Sequence, residues 1–343
     1  MEKKQGIDCI FLIPSNSKRS YQKLSETYSA IEPPTWALLL AQSVRSVGFK
    51  VNILDANAEK LNEQEIFDRI LEINPKLICI VVYGQNVNAG TTNMSGASKV
   101  ANYLKQRKIN IPISLIGSHI QALPKETLKN EKSIDFGFTN EGVYAIRNIL
   151  NLQKFTSENL KKIKGIVFRE DKNIILTPPE EVVPTEKMDQ DLPGYAWDLL
   201  PYNKKPFDLY RSPMWHAEYD HDKRKPYASI HTSLGCVFGC NFCMINIINR
   251  EDNEEIGIAS NYKKMRFWST NFIIKEFDKL ISMGVRTIRI VDEMFLLNPK
   301  YYIPLCKKLA ERNKDDSLRM WSYSRIDTIK NLETLQLVRK AGI

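Results

Sequence analysis

The sequence predicts an α/β protein in which a doubly wound parallel sheet is followed by an incomplete barrel of β/α units. Over the first 152 residues, short and nearly continuous apolar segments alternate with helical patterns, as expected for parallel strands buried on both faces. The alternation resumes near residue 227, after a connector that contains several prolines. Three strand–helix units follow the connector, and three cannot close a barrel.

The first predicted domain spans residues 1–155. Its helical patterns are bounded by ordinary start and stop signals, such as Pro34 near the start of the first helix and Gly48 after its end. The strands are predicted at residues 8–14, 50–56, 76–84, 111–118 and 134–139. The helices are predicted at residues 33–48, 63–73, 96–108 and 142–152.

The carboxyl ends of these strands are the predicted ligand-binding edge of the sheet, because ligands of doubly wound sheets bind beyond those ends. No G-x-G-x-x-G follows the first strand and no P-loop lysine motif is present, which argues against a dinucleotide or a nucleoside triphosphate. The candidate ligand-binding residues at this edge are Ser15, Tyr83, Gly84, Gly117, Ser118 and His119.

A connector is predicted at residues 156–226 and a second α/β domain at residues 227–343. The connector contains a predicted hairpin at 165–179 that turns at 170–173. In the second domain, strands at 227–233, 285–293 and 319–325 alternate with helices at 267–284, 299–313 and 331–342. An uncovered edge strand would expose unpaired backbone groups, so we expect the sequence to be a fragment that ends within the barrel.

The composition predicts a globular protein of the cytoplasm. The chain is 43% hydrophobic and 26% charged, and no apolar run approaches the length of a membrane span. The basic N-terminus lacks a cleavage site for secretion. Three of the six cysteines stand alone and three cluster, which indicates a bound metal in a reducing compartment. The net charge of +9 comes from scattered lysines, so nucleic acid is not an expected partner.

The clustered cysteines are Cys236, Cys240 and Cys243. A structural zinc site needs four ligands, and the nearby fourth candidate is His231, which the pattern places inside the strand at 227–233. A loop with glycines can instead fold around one corner of a cubic iron–sulfur cluster, so that three thiolates bind three irons and one iron stays open. The open cluster is the favoured interpretation, with zinc and unrelated thiols as alternatives.

The spacing C-x-x-x-C-x-x-C, with the aromatic Phe242 before the last cysteine, resembles the signature of the radical S-adenosylmethionine (SAM) superfamily. This resemblance implies a [4Fe–4S] cluster whose open iron chelates SAM, and reductive cleavage of SAM to a 5′-deoxyadenosyl radical. It also implies SAM contacts for Phe242, Asp292, Glu293 and Arg325. The simpler alternatives are that the two acidic residues cap the following loop and that Arg325 pairs with Asp327.

The first domain resembles the cobalamin-binding domain that precedes the barrel in one large class of radical SAM proteins. The segments that carry this resemblance are 31–56 and 115–128. The family's Gly-Glu-Gly-Glu-like turn is replaced here by Thr-Asn-Glu-Gly at 139–142. No D-x-H-x-x-G occurs, so cobalamin with a histidine ligand of the mutase type is not expected. The resemblance implies that the six residues at the sheet edge contact cobalamin.

The expected function is that of a cobalamin-dependent radical SAM enzyme that methylates an unactivated carbon of a small-molecule substrate. The expected partner is an electron donor such as a flavodoxin or ferredoxin. One alternative is a radical oxidoreductase or cyclase that does not use cobalamin for methyl transfer. Another is a non-catalytic cobalamin-binding protein with a structural metal–sulfur site. The sequence motifs identify no catalytic side chain.

Overall fold

The computed structural model describes residues 6–15, 22–24, 30–83, 87–202, 209–212, 226–329 and 331–343. A seven-stranded sheet forms the first domain, with strand order β2-β1-β3-β4-β5-β6-β7. Its first five strands are parallel, and the last two are antiparallel additions. The strands are β1 Cys9–Ile13, β2 Val51–Asp55, β3 Leu77–Val82, β4 Ile113–Gly117, β5 Phe136–Phe138, β6 Ile166–Glu170 and β7 Asn173–Leu176.

Helices cover both faces of this sheet. Residues of β1 alternate between two cores: Cys9 and Phe11 pack on one face, and Ile10 and Leu12 pack on the other. The first core contains the apolar faces of α1 and α6, and the second contains those of α2 and α3. The helices of this domain are α1 Thr35–Ser46, α2 Glu63–Ile73, α3 Met94–Gln106, α4 Ser118–Ala122, α5 Pro124–Asn130 and α6 Val143–Leu150.

The strand order creates a crevice between β1 and β3. From β1 the chain crosses to β2 on one side and returns to β3 on the other, so the crossover helices leave the sheet in opposite directions. Ligands of doubly wound sheets bind at this switch point, outside the carboxyl ends of the two strands.

The predicted hairpin of the connector is confirmed, and it extends the first sheet. Strands β6 and β7 pair with each other, and β6 pairs antiparallel with β5, where Phe168 lies opposite Phe136. The connector also contains the short helices α7 Ser157–Leu160 and α8 Met188–Asp191. Beyond them it crosses α1, where the Ala196 N–H donates to the Leu38 carbonyl at 3.3 Å.

The second domain contains a three-stranded parallel sheet of order β12-β11-β8. A separate antiparallel ribbon of two strands, β9 and β10, lies between β8 and the first helix of this domain and was not predicted. The strands are β8 Tyr227–Ile230, β9 Ser233–Cys236, β10 Lys264–Phe267, β11 Thr287–Ile290 and β12 Arg319–Trp321. The helices are α9 Thr270–Ser282, α10 Pro299–Arg312 and α11 Leu332–Lys340.

The predicted fold class, a doubly wound sheet followed by a partial β/α barrel, is confirmed. The three strands predicted in the second domain are too long at their carboxyl ends, because β8 ends at Ile230, β11 at Ile290 and β12 at Trp321. His231, Asp292, Glu293 and Arg325 therefore follow these strands and do not lie inside them. The chain turns at His231 and Thr232 to begin β9. Within the described ranges, no helix is both long and apolar enough to cross a membrane.

Asp55, at the end of β2, is a buried carboxylate that ties the connector to the first domain. Its Oδ1 accepts from the Ala58 N–H at 3.0 Å, and its Oδ2 accepts from the Tyr210 hydroxyl at 3.0 Å. Next to Tyr210, Arg211 forms a β-bridge with Ile31. Burial raises the pKa of Asp55 to about 6, although both hydrogen bonds act in the opposite direction.

We expect Asp55→Asn to stabilise the protein above pH 6. Because the folded-state pKa exceeds the unfolded value, the folded protein holds the proton more tightly, and the free energy of unfolding falls as pH rises from about 4 to about 6. This fall in the free energy of unfolding is about 3 kcal/mol. Asparagine can keep both hydrogen bonds and does not ionise, so the variant avoids the fall. Urea unfolding of both proteins between about pH 4.5 and 7.5 measures the difference, since other groups titrate alike in both. Parallel curves would contradict the assignment to Asp55.

Candidate functional site

A cavity of about 310 Å³ lies between the carboxyl edge of the first sheet and the second domain. On one side it reaches the ends of β1 and β3 at the switch point, and on the other it reaches the ribbon and the end of β11. Its first-domain wall includes Ile13, Pro14, Trp36, Val81, Tyr83 and Ser118. Its second-domain wall includes His231, Leu234, Gly235, Met244, Ile247 and Glu293.

The first-domain wall is built from aromatic rings and a close backbone approach. The rings of Trp36 and Tyr83 lie 5.7 Å apart, and the Tyr83 hydroxyl accepts from the Gln121 amide at 2.6 Å. Behind the wall, Gly117 has a φ of +153°, and a Cβ there would lie 2.0 Å from the Val82 carbonyl oxygen. Only glycine therefore lets β3 and β4 approach at this edge.

The structure places the six predicted cobalamin residues differently. Tyr83 and Ser118 line the cavity. Gly117 supports it from behind. Ser15 follows the lining residue Pro14 without lining the cavity itself, and half-buried His119 has its Nδ1 3.2 Å from the Thr91 hydroxyl. Gly84 lies outside the described residues.

The cysteine loop, residues 236–243, begins at the last residue of β9. The Cys236 N–H donates to the Asn246 Oδ1 at 2.7 Å, and the Phe238 N–H points to the Cys236 sulfur at 3.5 Å. The Cys243 N–H donates to the Cys240 carbonyl at 3.0 Å, which closes a tight turn. Cys236 is buried, Cys243 is half-buried and Cys240 is exposed.

The three thiols lie close enough to influence one another. Burial raises the pKa values of Cys236 and Cys243, and the charges of the neighbouring cysteines and of Glu293 raise them further. Across the described ranges, no group of three or more His, Cys, Asp or Glu side chains is arranged to hold a metal ion, with or without His231. The three cysteines of this short loop nevertheless supply the soft sulfur donors that iron–sulfur clusters use as ligands.

The acidic segment after β11 separates into two roles. Asp292 is buried, and its carboxylate accepts three hydrogen bonds of 2.6 Å each, from the Thr232 N–H, the Thr232 hydroxyl and the Ser233 hydroxyl. It therefore fixes the turn that leads from β8 into the ribbon. Glu293 is half-buried at the cavity, and burial raises its pKa. Of these two carboxylates, Glu293 is the one whose charge raises the pKa values of Cys236 and Cys243.

The other two predicted SAM contacts are exposed. The Arg325 guanidinium lies 4.6 Å from the centre of the Phe238 ring and forms a two-pronged ion pair with Asp327 at 3.0 and 2.8 Å. The alternative pairing of Arg325 is thus present, beside the cysteine loop. The Phe242 side chain is 81% exposed.

A polar cluster at the domain interface was missed by sequence reasoning. Arg289 of β11 pairs with Glu32 of the first domain at 2.5 Å, and both side chains are nearly buried. The His231 Nε2 lies 3.4 Å from the Thr35 hydroxyl at the start of α1. Burial, reinforced by Arg289, lowers the pKa of His231 to about 4, so its ring is neutral near pH 7. Glu32 and Arg289 are 257 residues apart in the sequence, so no local sequence pattern predicts their ion pair.

Comparisons with known proteins agree with this architecture. Residues 22–150 match the family model described as the B12 binding domain. The chain is 25% identical over 312 residues to the uncharacterized methyltransferase PH0819 of Pyrococcus horikoshii, covering 90% of this chain and 59% of that protein. It is 23% identical over 313 residues to the anaerobic magnesium-protoporphyrin IX monomethyl ester cyclase of a Synechocystis species, covering 91% and 55%. The chain thus spans little more than half the length of these relatives.

Two solved structures share the fold. The radical SAM methyltransferase TsrM of Kitasatospora setae, with cobalamin and a [4Fe–4S] cluster bound, superposes with a TM-score of 0.66 at 15% identity, covering 98% of this chain and 59% of that one. The cobalamin-dependent SAM radical enzyme OxsB, with aqua-cobalamin and SAM bound, gives a TM-score of 0.62 at 15% identity, covering 98% and 41%.

Residues 22–150 therefore match a B12 binding domain, and the β/α domain that carries the cysteine loop shares its fold with the solved radical SAM enzymes. The resemblance to cobalamin-binding radical SAM proteins that the sequence predicts is confirmed, and both PH0819 and TsrM are described as methyltransferases.

Proposed function

We propose that the protein is a cobalamin-dependent radical SAM enzyme that methylates an unactivated carbon of a small molecule. The observation that carries the proposal is the shared cavity, which the switch point of the B12 binding domain and the base of the cysteine loop enclose together. In the proposal, cobalamin at the switch point and a cluster at the cysteine loop would face each other across this cavity.

In this proposal Cys236, Cys240 and Cys243 hold a [4Fe–4S] cluster, and cobalamin lies against the first-domain wall. When bound, these groups supply the electron that cleaves SAM to the 5′-deoxyadenosyl radical and the methyl group that is transferred. An external donor such as a flavodoxin or ferredoxin would deliver the electron.

In this proposal the chain's own residues bind SAM, hold the cysteine loop in place and exclude water from the cavity. Glu293 lines the cavity near the cysteine loop, where its carboxylate would accept from the SAM ammonium group. Asp292 keeps the loop's base in place through Thr232 and Ser233. Apolar side chains, among them Leu234 and Ile247, line the cavity and limit water, which protects a radical from quenching.

Anoxic reconstitution with ferrous iron, sulfide and hydroxocobalamin tests the proposal. We expect about four irons per chain and a cluster signal in electron paramagnetic resonance after reduction. The variant with alanine at positions 236, 240 and 243 should bind less than about one iron. The matched control is Cys306→Ala, because Cys306 is a thiol of the α10 core outside the loop. Zinc without iron in the wild type, or unchanged iron in the triple variant, would refute the cluster.

A radical cyclase is the second candidate, because one relative is named as a cyclase. The two candidates differ in the fate of the SAM methyl group. Methyl-labelled SAM with the reconstituted protein should transfer label to bound cobalamin if the protein is a methyltransferase. A chain that assembles the cluster, forms 5′-deoxyadenosine and leaves corrin unlabelled is the outcome that favours the cyclase.

A further inference from the structure

The cysteine loop and the residues that follow it dock directly on the first domain. The Met244 N–H donates to the Asn88 Oδ1 at 2.7 Å, next to Cys243. The Gly257 N–H donates to the Ala122 carbonyl at 2.9 Å. These bonds join residues 244–257 to two places on the carboxyl edge of the first sheet.

Another cross-domain contact is an ion pair whose two side chains have no exposed surface. The Arg266 Nη2 lies 2.6 Å from the Glu141 Oε2, and both side chains are 0% exposed. Arg266 belongs to β10, the strand that pairs with β9 and its terminal Cys236. Glu141 belongs to the turn after β5, where the sequence departs from the family's Gly-Glu-Gly-Glu-like pattern.

Arg266 connects three segments of the chain at once. Its guanidinium donates to Glu141 of the first domain, to the Val183 carbonyl of the connector at 2.7 Å and to the Asn249 Oδ1 at 2.9 Å. Val183 also donates its N–H to the Glu141 Oε1 at 2.5 Å. Because the guanidinium is planar and rigid, Arg266 can make these hydrogen bonds together only in one orientation.

Asn249 carries the link onward to the cysteines. Its amide donates to the Lys264 carbonyl at 2.9 Å, and its nitrogen lies 2.6 Å from where a Cβ on Gly235 would be. The same short 3₁₀ segment contains Asn246, which accepts the Cys236 N–H. Glu141 is thus joined to the first cysteine of the loop by the hydrogen bonds of Arg266 to Glu141 and Asn249, and then through the 3₁₀ segment to the Asn246–Cys236 hydrogen bond.

A buried ion pair contributes little net stability compared with apolar side chains of the same size, and its attested use is to select one arrangement over others. We propose that Glu141 and Arg266 are positioning residues, through which the B12 binding domain holds the base of the cysteine loop and keeps Cys236 buried beside the cavity. The inference rests on the proposed function only where Cys236 is called a cluster ligand.

Residue-resolved alkylation of the native protein without cluster tests this inference. In the wild type, N-ethylmaleimide should modify exposed Cys240 quickly and buried Cys236 slowly. In Glu141→Gln, which keeps the shape and removes the charge, we expect Cys236 to react at least about tenfold faster through local opening. Cys79 and Cys306, buried in the two domains, should keep their wild-type protection because the fold as a whole persists.

Two further variants complete the experiment. Asn249→Ala breaks the loop side of the link and leaves the ion pair intact, so it should also expose Cys236. This variant provides the test if Glu141→Gln does not fold. Arg147→Lys is the matched control, since Arg147 also bonds the connector, through Asp191 at 3.0 Å, and its other side-chain hydrogen-bond partners are Ser43 and Ser46 of α1. This control should leave Cys236 slow.

The inference is overturned if Cys236 stays slow in both folded variants, or if Cys79 and Cys306 become reactive together with it. The second result would mean that the pair supports the whole fold and not the loop. Iron binding by the wild type is a separate readout, so failure of the proposed cluster and failure of the positioning link can be told apart.

Discussion

Gly235→Ala should prevent the cysteine loop from forming and lower the free energy of unfolding by about 3 kcal/mol or more. Gly235 has a φ of +84°, and an added Cβ would lie 2.1 Å from the Lys264 carbonyl oxygen. The neighbouring strand must then move away, which breaks the pairing of β9 with β10 next to Cys236. Chemical unfolding and iron content after reconstitution measure the two effects.

The chain offers a close control for this substitution. Gly284, after α9, has a φ of +83°, but a Cβ added there would meet no atom within 4 Å. Gly284→Ala therefore adds only the left-handed strain, about 1–2 kcal/mol, and should bind iron normally. Equal losses of stability and iron in the two variants would show that contact with β10 is not the cause.

Asp292→Ala should lower the free energy of unfolding by about 3–5 kcal/mol, because it leaves three buried donors without an acceptor. These donors belong to Thr232 and Ser233, which connect β8 to the ribbon. Asp292→Asn keeps an acceptor for the Thr232 N–H, and the two hydroxyl groups can rotate to accept from its amide. We expect it to lose less than about 1.5 kcal/mol.

Urea unfolding of both variants near pH 7 tests this account. If the asparagine variant is as unstable as the alanine variant, the negative charge and not the hydrogen bonds would be what the turn requires. Cluster assembly should follow the same order, with asparagine close to the wild type, since the carboxylate acts through the turn.

The first domain was predictable because its signals are local. The helix predicted at 63–73 is found as Glu63–Ile73, where Asn62 and Glu65 form a capping box and Asn74 ends the helix in the left-handed region. The alternation of strands with helices also predicted the parallel sheet, although it did not predict the order of the strands within the sheet. The short helices after β4 were missed, since five to seven residues carry too little periodicity.

The ribbon was not predictable from local pattern. Strand β10 is the four-residue segment Lys264–Phe267, with mixed polar and apolar side chains, and it pairs with residues about thirty positions earlier. His231 was assigned to a strand because its neighbours alternate in polarity. The chain turns there instead, because the Thr232 N–H donates to Asp292, which lies sixty residues further along the sequence.

In the candidate site, too, local sequence patterns predicted some features, whereas others depend on contacts between distant residues. The cysteines could be recognised because all three lie within eight residues. The two buried ion pairs join residues that are 257 and 125 positions apart, so only the folded chain brings them together. For the acidic segment, the sequence identified the right neighbourhood, and burial then separated Asp292 from Glu293.

The docking of residues 244–267 on the first sheet limits how this protein can be recombined with its relatives. A chimaera that imports a foreign cobalamin domain would set unmatched side chains against the buried guanidinium of Arg266. An exchange of the first domain would therefore require transplanting the 139–142 turn and the ribbon as one unit.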